Sequence, residues 1–299
     1  MVKFRGKVLI AGLWNLFERA NSQIIRFLVN IILARILMPS DYGLIGLIAI
    51  FFAISSSFIE GGFLNALIQK QNRSEEDFST VFYFNIITAV VFYILFFSIA
   101  PLVSKFYNVP EITKIMRVIT ITVILNSLSI VPRAKLAIDL NFKKQAIAAT
   151  VAVSISGLIA VMLAYNGIGV WALVFQAIIS ALLSSVFLMI AVRWKPIYNV
   201  SFQSFKSLFQ FGSKLLVANL LDRVFKNIYL AIIGKFSTME QLGYYAKAEQ
   251  FSQIPATNLA GVMQSVTFPR MCEIQNNQDQ MRSIYQRNIR IASFTNFPV

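Results

Sequence analysis

The sequence has no histidine, and Cys272 is the only cysteine among its 299 residues. The absence of histidine removes the side chain that proteins use most often as a general base and as a zinc ligand. A single cysteine excludes an intrachain disulfide and any metal site built from several cysteines. We therefore expect neither a metal nor a cofactor in this protein.

Charged residues are also scarce. They make up 13% of the sequence and hydrophobic residues 57%, whereas soluble domains contain about 25% and about 45–50%. Because about 18 apolar residues in a row can cross the hydrocarbon core as a helix, the long apolar runs predict an all-α membrane protein with many spans. The predicted spans are 8–37, 43–68, 79–103, 113–132, 146–165, 168–192, 208–234 and 243–268.

The residues at the two ends of the chain support two predictions about its membrane spans. Basic residues precede the first apolar run, as in a signal peptide, but the run breaks at Glu18 and no small-residue cleavage site follows. We therefore predict a retained first span. A ninth apolar run begins near Tyr285 and is still open at Val299. We accordingly expect the chain to be the N-terminal fragment of a longer protein.

The positive charges are unevenly distributed between the two sides of the predicted spans. Of the 27 lysines and arginines, sixteen lie before span one, after span eight, or in the loops two–three, four–five and six–seven. Only five lie in the alternate loops. The positive-inside rule then predicts a cytoplasmic N-terminus. This asymmetry explains most of the net charge of +14, and without a nucleic-acid-binding motif we expect no nucleic-acid partner.

The remaining six basic residues lie within predicted spans. An arginine at the centre of a membrane costs about 2.5–3.5 kcal/mol if it faces lipid, so these side chains are expected to face a wet cavity or the bundle interior. In span one, polar residues recur every three or four positions and therefore form one stripe. The stripe consists of Asn15, Arg19, Ser22, Arg26 and Asn30.

A similar polar group in span seven completes the predicted site, a cationic cavity for an anion such as a diphosphate. In the alternative interpretation, the cations pair with Glu18, Asp222 or Glu249 and only hold helices together. The predicted substrate-binding cations are Arg19, Arg26, Arg223, Lys226 and Lys247; the polar lining is Asn15, Gln23, Asn30 and Asn219; Asp222 and Glu249 are the candidates for ion coupling.

Span seven repeats features of span one at a distance of 200 residues. Lys226 corresponds to Arg26, and Gly243, at the start of span eight, corresponds to Gly43. Six spans separate the copies, so both would have the same orientation and be related by an axis along the membrane normal. Transporters often arise from repeated halves with the substrate site at their interface.

The segment between spans one and two resembles a known family. Residues 34–44, ARILMPSDYGL, resemble the signature of bacterial polysaccharide exporters, which belong to the multidrug/oligosaccharidyl-lipid/polysaccharide superfamily and include the Wzx-type O-antigen flippases. Weaker similarities to the same family occur at residues 60–62, 66–69, 80–85, 132–133 and 141–142.

This resemblance implies a MATE-like polytopic bundle in which two groups of helices rock around a central cavity. Residues 1–192 would form the first six-helix bundle. Residues 193–207 would form an amphipathic cytoplasmic linker, and residues 208–299 would begin the second bundle. The implied function is to move undecaprenyl-diphosphate-linked oligosaccharide across the bacterial inner membrane for O-antigen, capsule or exopolysaccharide synthesis. Membrane lipid, a polysaccharide polymerase and other proteins of the pathway are the further candidate partners.

Three other functions remain open at this point. A multidrug exporter of the same superfamily would need cavity carboxylates for cationic drugs, and a lipid II flippase would carry another diphosphate lipid. A membrane enzyme of the pathway would need a large loop or an exposed acidic cluster. Every predicted loop is short, and we expect the acidic run 75–77 to lie on a solvated turn. We therefore predict that the protein is not an enzyme.

Overall fold

The computed structural model describes residues 14, 21–60, 62–198, 200–252, 271 and 278–296. The secondary structure of these residues is helical and contains no strand, which confirms the predicted all-α class. In chain order the helices are α1 (21–36), α2 (Pro39–Glu60), α3 (Phe63–Gln69), α4 (Glu75–Tyr107), α5 (Glu111–Ile119), α6 (Ile121–Leu128), α7 (Ile130–Ile138), α8 (Phe142–Tyr165), α9 (Trp171–Val192), α10 (Phe202–Phe236), α11 (Met239–Ser252) and α12 (Gln278–Asn296).

Five stretches of the described chain are long and apolar enough to cross a membrane, by length and composition. They correspond to the predicted spans two to six, so the protein is a multi-pass membrane protein. The stretches are Pro39–Gln69, Glu75–Tyr107, Glu111–Ile138, Phe142–Tyr165 and Trp171–Val192.

The other predicted spans differ in composition or extent. Span seven corresponds to α10, which has 35 residues but carries several charged side chains between Lys206 and Lys235. It is therefore long enough to cross a membrane without being as apolar as the other five. Spans one and eight run into residues outside the described part, and α1 and α11 are their described portions.

The turns between spans form where their residue types predict. The Asp41 carboxylate accepts a hydrogen bond from the Met38 backbone amide at 3.0 Å, next to the first turn of α2. Asn108 ends α4 with a φ of 58°, and Gly167 follows α8 with a φ of 76°. Asparagine and glycine tolerate this left-handed backbone better than other residues. The chain therefore turns after spans one, three and five at residues whose types favour a turn.

The fourth span is divided into α5, α6 and α7, because its regular helical pattern is interrupted at Thr120 and Ser129. The Thr120 hydroxyl donates to the carbonyl oxygen of Met116 at 2.7 Å, and the Ser129 hydroxyl donates to that of Asn126 at 2.8 Å. Such bonds compete with the helical ladder and often bend helices. The two hydroxyl residues therefore account for the interruptions.

Close packing at small residues holds the helices together. A Cβ atom built on Gly157 of α8 would lie 2.6 Å from Val29 Cγ2 of α1, so only glycine permits this approach. Leu230 of α10 and Leu242 of α11 lie in the same buried core as Leu44 and residues of α4, α5 and α9. Helices α10 and α11 thus pack directly on α2, α4, α5 and α9.

Polar contacts join three basic loops at one end of the bundle, which we call the basic face. Glu75 accepts hydrogen bonds from Lys135 Nζ at 2.7 Å and from Trp194 Nε1 at 2.6 Å. Asp77 pairs with Lys70 at 2.7 Å and is only 1% exposed. The prediction of a solvated acidic turn is therefore wrong for Asp77, because this carboxylate caps the first turn of α4 and neutralises a lysine.

The non-helical segment between α9 and α10 is held against the start of α4. The backbone amide of Ile197 donates to Ser79 Oγ at 3.0 Å, and that of Ser201 donates to Thr80 Oγ1 at 3.1 Å. The next helix already begins at Phe202, within the predicted linker. Residues 202–207 of the predicted linker therefore belong to the first turns of α10.

Candidate functional site

The polar stripe predicted for span one is described in part. Asn15 and Arg19 lie outside the described residues. On α1, Gln23 and Asn30 are partly buried, whereas Arg26 is exposed. The described portion of the stripe therefore places two amides within the helix packing and one guanidinium at its surface.

The polar residues of α10 fall into two environments. Lys226 and Asp222 form an ion pair of 2.8 Å one turn apart, and their side chains are 53% and 58% exposed. Arg223 Nη1 donates to Ser56 Oγ on α2 and so joins α10 to α2. Asn219 is partly buried one turn before Arg223. Lys226 is thus compensated by a carboxylate of its own helix, while Arg223 contacts α2.

Lys247 of α11 brings three helices together. Its Nζ atom donates to Asn30 Oδ1 of α1 at 3.1 Å and to Gln250 Oε1 at 3.2 Å. The same atom lies 3.9 Å from the centroid of the Tyr42 ring on α2. All these partners are neutral, and Lys247 forms no ion pair with a carboxylate in the part of the chain that the structure describes.

The two carboxylates predicted for ion coupling lie on different helices. Asp222 is paired with Lys226 on α10, as described above. Glu249 is partly buried on α11, two residues after Lys247, and its backbone carbonyl accepts a hydrogen bond from Ser252 Oγ at 2.9 Å. The described residues contain no group of three or more histidine, cysteine, aspartate or glutamate side chains that could hold a metal ion.

Helices α2 and α11 cross at the end of the bundle opposite the basic face, and equivalent residues of the predicted repeat meet there. A Cβ built on Gly43 would lie 3.3 Å from the Gly243 nitrogen, and one built on Gly243 would lie 3.2 Å from the Gly43 nitrogen. One turn further on, a Cβ built on Gly46 would lie 3.3 Å from Ala246 Cβ. Contacts between residues 200 apart are those that a twofold axis through the crossing would produce.

Sequence reasoning did not assign a role in the site to Tyr42, Ser56 or Gln250. Tyr42 lies within the segment 34–44 that carries the family resemblance, and Ser56 lies within a run of three serines. Neither feature by itself indicates a contact with a distant cation. For Tyr42, a usable signal was its place in the repeat, where the other copy has Leu242.

The helices and their contacts define a multi-pass helical membrane protein in which cations of α10 and α11 contact α1 and α2. A family model described as "Polysaccharide biosynthesis protein" matches residues 32–299, and the chain therefore belongs to this family. The resemblance to polysaccharide exporters is thereby confirmed.

Among curated proteins, the chain is 23% identical over 267 residues to the succinoglycan biosynthesis transport protein ExoT of Rhizobium meliloti, covering 89% of this chain and 54% of ExoT. It is 23% identical over 251 residues to the teichuronic acid biosynthesis protein TuaB of Bacillus subtilis, covering 81% and 50%. It is 21% identical over 278 residues to the lipopolysaccharide biosynthesis protein WzxC of Escherichia coli, covering 89% and 55%. The chain thus spans about half the length of these relatives. No solved structure matches it.

Proposed function

We propose that this chain is part of a flippase that moves undecaprenyl-diphosphate-linked oligosaccharide across the bacterial inner membrane, with its N-terminus and basic face in the cytoplasm. The product would serve O-antigen, capsule or exopolysaccharide synthesis. Family membership supports this proposal, as do relatives named for succinoglycan, teichuronic acid and lipopolysaccharide biosynthesis. The excess of lysine and arginine in one set of loops supports the orientation.

The observation that carries the proposal is the environment of Lys247. This ammonium group is held by two amide oxygens and a tyrosine ring, without a carboxylate among the described residues to compensate its charge. A charged group at membrane depth is costly and typically marks a substrate or ion pathway. Because the charge left over is positive, the site favours an anionic group, and lysine and arginine are the standard partners of phosphate.

In the proposed cycle, the diphosphate enters between the bundles while its polyprenyl tail stays in lipid. Arg19, Arg26, Arg223, Lys226 and Lys247 supply positive charge, and Asn15, Gln23, Asn30 and Asn219 supply amides for sugar hydroxyls. Rocking of the bundles then exposes the head group to the other side. Asp222 or Glu249 would take up the coupling ion. No step requires a covalent bond to form or break, so the protein would not act as an enzyme.

The test replaces Arg26 with alanine in the intact protein, expressed in a strain that lacks its own copy. Loss of one charge-assisted contact to diphosphate should lower surface polysaccharide by at least about tenfold at an unchanged protein level. Lys214→Met, which removes an exposed lysine of α10 outside the predicted site, is the matched control and should export normally. Normal export by both Arg26→Ala and Arg19→Ala would contradict the proposal.

The same strains separate the rival functions. Increased resistance to cationic drugs, without an effect on polysaccharide, would favour a multidrug exporter. Cell lysis with accumulation of the peptidoglycan precursor would favour a lipid II flippase. Formation of glycosidic bonds by the purified protein would favour a polymerase or glycosyltransferase.

A further inference from the structure

Asn30, Tyr42 and Lys247 form a three-residue cluster, which we call the polar triad, where α1, α2 and α11 meet. Lys247 Nζ lies 3.1 Å from Asn30 Oδ1 and 3.9 Å from the centroid of the Tyr42 ring. Since Asn30 uses its oxygen for this contact, its Nδ2 group remains a hydrogen-bond donor. The triad thus combines an ammonium, an amide and a phenol from three separate helices.

The Tyr42 hydroxyl is the second feature that indicates a ligand. Tyr42 is only 8% exposed, and its hydroxyl oxygen has no hydrogen-bond partner among the residues that the structure describes. A buried hydroxyl without a partner is unfavourable, and native proteins rarely retain one without a reason. Beside a lysine that lacks a counter-ion, the missing partner of this hydroxyl is best supplied by an anion with several acceptor oxygens.

The internal repeat contains a second, chemically opposite copy of the triad. Subtracting or adding 200 relates Lys247 to Leu47, Asn30 to Leu230 and Tyr42 to Leu242. The three leucines belong to one buried core, with exposures of 0%, 7% and 0%. The same three positions therefore meet in both halves of the crossing, as an apolar cluster in one copy and as the polar triad in the other.

This comparison favours a binding role of the polar triad over a packing role. The leucine copy shows that three apolar side chains fill the equivalent space and seal the interface without polar groups. Packing alone therefore does not require a lysine, an asparagine and a tyrosine in the other copy. Burying polar groups in place of leucines lowers the stability of the fold. We expect such a loss where the polar groups bind a ligand that leucine cannot bind.

We propose that the polar triad is a phosphoryl-binding subsite, in which Lys247 Nζ, the Tyr42 hydroxyl and Asn30 Nδ2 donate to oxygens of one phosphate group. For the lipid-linked diphosphate this rests on the function proposed above. Lys247 lies four residues after Gly243 and therefore on the same face of α11, one turn from the crossing. The subsite lies to one side of the pseudo-twofold axis, next to the crossing of α2 and α11.

The experiment measures equilibrium binding of radiolabelled undecaprenyl diphosphate to the full chain in nanodiscs. Lys247→Met should weaken binding by at least about tenfold, since hydrogen bonds to charged groups are strong, and Tyr42→Phe by about fivefold, since it removes only one hydroxyl. The triple variant Asn30→Leu, Tyr42→Leu, Lys247→Leu copies the leucine cluster, so it should fold while losing measurable binding. Lys214→Met is the matched control and should bind like the wild type.

A parallel titration with inorganic pyrophosphate tests the phosphoryl subsite independently of the proposed flippase function. Triad-dependent binding of pyrophosphate without binding of the lipid would support a phosphoryl subsite and contradict the flippase. Binding of the lipid by the folded triple variant with wild-type affinity would overturn the subsite and leave the flippase standing. Equal losses in Lys247→Met and Lys214→Met would overturn it as well, because general charge would then explain them. Failure of the wild type to bind either probe would overturn both.

Discussion

The crossing of α2 and α11 allows a quantitative test of the packing, because two glycine backbones meet there. A methyl group at Gly43 would collide with the carbonyl oxygen of Met239, and one at Gly243 would collide with the carbonyl oxygen of Pro39. Backbone atoms of two helices cannot yield as a flexible side chain can. Overpacking of this kind lowers the free energy of unfolding by about 1–3 kcal/mol. This loss equals or exceeds the gain of about 1 kcal/mol that alanine in place of glycine brings to a helix interior.

The matched control is Gly46→Ala, because a Cβ there would meet the Ala246 side chain at 3.3 Å rather than a carbonyl. Thermal unfolding in detergent should place Gly43→Ala and Gly243→Ala below Gly46→Ala by roughly 2–10 °C. The two former variants should also agree with each other, because each adds the same methyl group to one side of a pseudo-twofold contact. Equal melting temperatures for all three variants would refute this account of the crossing.

Two further predictions concern contacts between distant parts of the chain. A double-mutant cycle of Arg223→Met and Ser56→Ala should give a coupling energy of about 1–3 kcal/mol in thermal unfolding, because Arg223 donates to the Ser56 hydroxyl; additive effects would show that this bond contributes nothing. The pair Ser79→Ala and Thr80→Val should speed tryptic cleavage after Arg193 several-fold, because both side chains accept backbone hydrogen bonds of the segment between α9 and α10. An unchanged cleavage rate would mean that other contacts hold this segment.

Much of the fold could be predicted because its determinants are local. The apolar runs predicted spans two to six, since the length of a span and the burial of its backbone groups depend on neighbouring residues. The left-handed φ angles of Asn108 and Gly167 likewise follow from local residue type. The prediction for the acidic run failed at Asp77, because its burial depends on Lys70 and on the cap of α4. The start of α10 at Phe202 is another such difference.

The candidate site was predictable in residue type but not in arrangement. The sequence placed both Lys226 and Lys247 within predicted spans and did not distinguish their surroundings. The structure pairs Lys226 with Asp222 on its own helix and holds Lys247 between neutral groups of two other helices. Periodicity shows which face of one helix is polar, but it does not show which face of another helix meets it.

By itself, the sequence determined that this protein resides in a membrane and that five of its apolar stretches form helices, since these follow from hydropathy and local backbone chemistry. Only the tertiary structure decided that Lys247 meets Asn30, 217 positions away, and the ring of Tyr42, while the equivalent leucines pack into a core. The reason is physical: contacts between remote helices are set by close packing at residues such as Gly43 and Gly243, and a one-dimensional pattern does not contain that geometry.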